Sequence, residues 1–137
     1  MPASLDTNLL LRLVLRDVPH QYQLVRDLIE APGARFRVTD TAINEAVHAL
    51  SYHYQMTRHQ VAEIVRAIIW DDAIDASSRF LDSVLAMFET HNALSYTDCY
   101  LAEEARSTGN TPLLTFDQKL ASGHASAQLL RTAEKSS

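Results

Sequence analysis

Four acidic residues, Asp6, Glu45, Asp98 and Asp117, each stand where an expected element begins or presents a face, and two of them directly follow apolar strands. Four ionised carboxylates drawn within about 5 Å would repel by roughly 3 kcal/mol per pair at an effective dielectric near 20, so a fold keeps such a cluster only with compensation. A divalent cation is the natural compensation. Hard oxygen ligands favour Mg2+ or Mn2+ over zinc, and Mg2+ retains waters while it meets phosphate oxygens. Those waters can supply a nucleophile, so the four acids together suggest metal-dependent cleavage of phosphodiesters.

The elements that must position them follow from turn signals and periodicity. Residues 1–5 are long enough only for a strand, which Asp6-Thr7-Asn8 closes before a Leu-rich helix over 9–15, ended by Val18-Pro19. An amphipathic stretch over 22–29 leads through Pro32-Gly33 to an alternating strand over 35–39. A helix over 41–54 turns Ile43, Ala46, Val47, Leu50 and Tyr54 to the core, and Thr57 with Gln60 forms a capping box for the next helix. A short strand over 73–76 and a helix over 79–90 precede a helix that Ser95 caps, with Asp98 as its box partner, running to about Gly109. Pro112-Leu113-Leu114-Thr115 reads as a buried strand, Phe116-Asp117-Gln118 opens a short helix, and 127–130 is the last strand.

This alternation implies an α/β fold, a parallel sheet covered by helices on both faces. Ligands of such sheets bind beyond the carboxyl ends of the strands. If the first strand and the one at Leu113-Leu114 are neighbours, Asp6 and Asp117 face each other across that crevice. Each acid also has a structural explanation. Asp6 can cap the first helix, Asp117 favours a helix dipole, Asp98 completes a capping box, and Glu45 points away from its helix's apolar face. Their joint placement is what favours a metal site.

At 137 residues the chain has the length of one domain, expected over 1–131 with a polar tail over 132–137. Nearly half the residues are hydrophobic, with three Gly and four Pro, which excludes disordered and collagen-like classes. One cysteine, Cys99, leaves no internal disulfide or thiolate-rich zinc site, and no signal-peptide or membrane-spanning pattern is read, so a cytoplasmic protein without membrane attachment is expected. A net charge of -5 argues against nucleic-acid binding by a broad basic surface, but not against a nuclease whose acids are offset by cations.

Leu5-Asp6-Thr7-Asn8-Leu9-Leu10-Leu11-Arg12, Thr41-Ala42-Ile43-Asn44-Glu45-Ala46-Val47, Leu94-Ser95-Tyr96-Thr97-Asp98 with Ala102, and Leu114-Thr115-Phe116-Asp117 together resemble a PIN-domain ribonuclease over nearly the whole chain. The small form resembles the VapC-type toxins of bacterial toxin-antitoxin pairs. The resemblance implies an α/β/α sandwich with a central parallel sheet of four to five strands. It places Asp6, Glu45, Asp98 and Asp117 as the catalytic acids that hold Mg2+ or Mn2+, and implies endonucleolytic cleavage of RNA by a metal-activated water. It further implies a cognate antitoxin and a homodimer. Thr7, Asn8 and Thr115 are candidates to position water or phosphate, and Arg12 and Arg16 to touch RNA phosphates, with helix-end hydrogen bonds and solvated charge as their simpler roles.

The chain departs from the family pattern at Cys99, where a small residue such as Ala is expected, and at Gln118 and Lys119, where further acid often follows. Two other functions compete. A PIN-like module that has kept its acids but lost turnover would serve protein association, and a phosphotransfer domain would use Asp6 as acceptor. The last is disfavoured because Asn8 stands where a second acid is wanted.

Overall fold

The computed structural model describes residues 3–131, which divide into two compact units between Asp82 and Ser83. Met1 and Pro2 of the first expected strand, and the tail over 132–137, lie outside the described residues.

The first unit contains β1 (Ala3–Ser4), α1 (Thr7–Leu15), α2 (Pro19–Glu30), β2 (Phe36–Arg37), α3 (Asp40–His48), a π-helical turn (Ala49–His53), α4 (Arg58–Ile69) and β3 (Ile74–Asp75). Its three strands pair in parallel in the order β1-β2-β3, with Ala3 opposite Phe36 and Phe36 opposite Ile74. Parallel neighbours need crossovers, and two helices fill each one. Leu10, Ile43, Leu50, Val61, Val65 and Ile69 form the centre of this unit's core, each less than 2 % exposed.

Among the boundaries that differ from the sequence expectation, three have a local reason. Pro19 opens α2 rather than closing α1, because its missing N–H and fixed φ suit the first helical position. Arg16, at φ 55, ends α1 in the left-handed region, and its guanidinium lies 4.9 Å from the centre of the Tyr22 ring. Arg16 therefore lies beyond the helix that holds Arg12. The helix expected over 41–54 begins at Asp40, capped by the Thr39 hydroxyl, which accepts the Ala42 N–H at 3.1 Å. After His48 it widens, the Tyr54 N–H bonding the Ala49 carbonyl at 3.1 Å, and this shift of register leaves Tyr54 half-buried.

α5 (Ser78–Thr90) runs across the division. The second unit continues with α6 (Tyr96–Thr108), β4 (Leu113–Thr115), α7 (Gln118–Gly123) and β5 (Ala127–Leu129). α6 ends at Gly109, whose φ of 75 supplies the left-handed C-cap that other residues adopt at a cost. β4 and β5 pair in parallel, Leu113 opposite Ala127. The expectation that 112–115 is buried is corrected. Leu114 is 56 % and Phe116 80 % exposed, because successive side chains leave opposite faces of the strand and this face is uncovered.

Candidate metal centre

The three aspartates share one local geometry. Asp6 caps α1, its Oδ1 accepting the Leu9 N–H at 3.1 Å. Asp117 caps α7, its Oδ1 accepting the N–H groups of Lys119 at 2.8 Å and Leu120 at 3.3 Å. Asp98 lies in the first turn of α6, where its Oδ2 accepts the Ser95 N–H at 3.2 Å and its own N–H reaches the Ser95 hydroxyl at 3.0 Å. Each spends one oxygen on a helix N-terminus. The other oxygen of each accepts no hydrogen bond from the described residues.

The helix-end reading of these acids is therefore correct as structure, and it leaves their chemistry open. A carboxylate held by one oxygen is oriented, and its second oxygen can meet a cation without breaking the cap. Three such hard donors, with Glu45 exposed on α3, suit Mg2+ or Mn2+ in chemical type. Among the described residues no group of three or more His, Cys, Asp or Glu side chains is gathered closely enough to hold a metal ion.

Within the first unit, α1 packs on α3. The Thr7 hydroxyl donates to the Ala42 carbonyl at 3.4 Å, tying the residue after Asp6 to the turn of α3 that precedes Glu45. Within the second unit, α6 and α7 both pack on β4, the strand that leads to Asp117. The Thr115 hydroxyl accepts the Asp117 N–H at 3.0 Å, so Thr115 performs the helix-end role while Thr7 instead ties α1 to α3. Asn8 is exposed, and Arg12 pairs with Asp17 at 3.1 Å. Cys99 is fully buried, a core side chain. A hollow of about 340 Å3, lined by residues of α1, α2 and α4 such as Leu13, Ile29 and Ile64, contains none of the four acids.

The sequence reading missed one polar cluster. Glu103 of α6 and His124 after α7 are both buried, the His124 Nε2 standing 2.9 Å from Glu103 Oε1. Arg106 donates to Glu103 Oε2 at 2.6 Å. Burial opposes the charge on Glu103, yet the hydrogen bonds from Arg106 and His124 hold its carboxyl below the usual range. A signal was present, since Cys99, Ala102 and Glu103 follow the i, i+3, i+4 spacing of a buried stripe and put an acid on it.

Compared with known proteins, the chain matches no family model and no curated relative. The resemblance to PIN-domain ribonucleases therefore rests on the four sequence motifs.

Proposed function

We propose that this chain is a Mg2+- or Mn2+-dependent endoribonuclease of the PIN type, with Asp6, Glu45, Asp98 and Asp117 as its metal-site acids. The observation that carries the reading is the repeated geometry of the three aspartates, each anchored by one oxygen at a helix N-terminus with the second left to other partners. Structural capping needs one such oxygen per helix and gives no reason for the motifs around them to follow the order of a nuclease. Parallel pairing within each of the two described sheets, one of three strands and one of two, supports the parallel α/β part of the accompanying proposal, a sandwich around a central sheet of four to five strands.

A divalent ion held there would supply Lewis acidity and lower the pKa of a coordinated water. The protein's own part is orientation. The helix N–H groups fix the rotamers of Asp6, Asp98 and Asp117, Thr7 and Thr115 hold the backbone beside two of them, and Asn8 offers an exposed amide to phosphate or water. Arg12 keeps further guanidinium donors beyond its bond to Asp17 for an RNA phosphate.

The same proposal takes the protein as the toxin of a toxin-antitoxin pair, a cytoplasmic homodimer restrained by its antitoxin. Among the described residues no helix is long and apolar enough to cross a membrane.

Purified protein incubated with structured RNAs and Mg2+ is expected to cut them internally, and EDTA or the Asp6→Asn substitution to stop it. Cleavage that survives both controls would exclude the metal mechanism. Absence of cleavage of every RNA tried would favour the protein-interaction module.

A further inference from the structure

We infer that the buried Glu103–His124 bridge is a positioning device that sets Asp117 relative to Asp98, an inference that rests on the metal-site reading above. Both oxygens of Glu103 are engaged: Oε1 faces His124 Nε2 at 2.9 Å, and Oε2 accepts from Arg106 at 2.6 Å and from the Ser83 hydroxyl at 3.4 Å. His124 is 6 % exposed, and its Nδ1 accepts the Ser126 N–H at 3.0 Å. The ring proton therefore sits on Nε2 and is donated to Glu103.

The chain of bonds continues into the sheet. The Ser126 carbonyl accepts the N–H of Leu113, the first residue of β4, at 2.7 Å. β4 ends at Thr115, whose hydroxyl holds the Asp117 N–H, while the His124 N–H closes α7 on the Leu120 carbonyl at 3.2 Å. α7 is thus fixed at both ends. Its first cap is Asp117, reached through β4, and its last is His124, locked to α6, the helix that carries Asp98.

A well-packed apolar pair at 103 and 124 would be about as stable as this bridge, since burying the charge costs much of what the contact returns. What apolar packing lacks is direction. A hydrogen-bonded imidazole fixes both distance and angle, and groups standing behind metal ligands act through such fixed geometry.

The test measures Mn2+ affinity by titration calorimetry for the wild type and its variants, each with and without Asp117→Asn, with circular dichroism confirming that each is folded. His124→Asn removes the donor to Glu103, and Glu103→Ala removes the acceptor. Both are expected to weaken Mn2+ binding about ten-fold, the lower end of what losing a group behind a metal ligand costs. Glu103→Gln keeps an acceptor for the Nε2 proton and is expected to bind as the wild type does. Glu103→Asp, which withdraws the carboxylate by one methylene, covers the case in which the harsher variants do not fold, and is expected to weaken binding.

In the Asp117→Asn background none of these substitutions is expected to weaken Mn2+ binding further, because the bridge acts through Asp117. Additive losses there, or unchanged affinity in folded His124→Asn and Glu103→Asp, would overturn the inference and leave the nuclease reading intact. A wild type that binds no Mn2+ would overturn both.

Discussion

Asp6 and Asp117 are helix caps and proposed metal ligands at once, and the two roles separate under substitution. Asn caps a helix about as well as Asp, whereas Ala at such a position costs about 1 kcal/mol. Asp6→Asn should therefore leave the unfolding free energy, measured by urea denaturation in EDTA, within about 0.5 kcal/mol of the wild type. Asp6→Ala should lower it by about 1 kcal/mol. Both should abolish RNA cleavage. With Mg2+ at about 100 times its dissociation constant, the wild type should gain about 2.7 kcal/mol, a gain that both variants lose or reduce. A purely structural Asp6 would show Asn as neutral in every one of these measurements. The helix-end roles of Asp6, Asp98 and Asp117 were legible in the sequence because helix-start signals pass through them, whereas the partnership of Glu103 with His124 was not. Their partnership spans 21 residues, and local spacing carries no information about a contact of that range.

Helix starts were the best-marked features of the chain, since a cap is written within four residues. Thr57 shows this fully: its hydroxyl accepts the Gln60 N–H at 3.2 Å, and the Gln60 side chain accepts the Thr57 N–H at 2.9 Å. Thr57→Ala should lower stability by about 1 kcal/mol. Thr57→Ser, which keeps the hydroxyl, should restore most of it. Thermal unfolding followed at 222 nm distinguishes the two, and equal losses would mean that the methyl packing of Thr57, not its cap, is what holds α4. The core face of α3 and of the turn after it was legible from periodicity, Ile43, Ala46, Val47 and Leu50 all being buried. The widening after His48 was not, because a π turn depends on how the following segment docks and leaves no mark in an apolar period. Strand lengths were overestimated as well. β2 and β3 keep two residues each, although the alternating and apolar runs that announced them are longer.

Across the whole chain, each unit contains a carboxylate held below its ordinary pKa. In the first, the hydrogen bond from Arg66 holds Asp82 down against the opposing effect of burial, and the Trp70 indole N–H adds a second bond at 2.9 Å. In the second, burial works against Glu103 but is outweighed by its bonds to Arg106 and His124. Both folded values lie below the unfolded ones, so the unfolded state binds more protons in the acid range. The stability these groups contribute is complete above their ordinary values, 3.8 for Asp82 and 4.5 for Glu103, and is lost as pH falls through the lowered folded values. Urea unfolding between pH 7 and pH 3 should therefore show these contributions constant down to about pH 5 and falling below it. Asp82→Asn and Glu103→Gln should each be less stable than the wild type at pH 7 and should each show a shallower acid slope. The indole of Trp70, the one tryptophan in the chain, gives a fluorescence signal for the Asp82 bond, while circular dichroism reports the helices. A Glu103→Gln variant with an unchanged acid slope would show that Glu103 has the same pKa folded and unfolded, and that its bridge contributes geometry without pH-dependent stability.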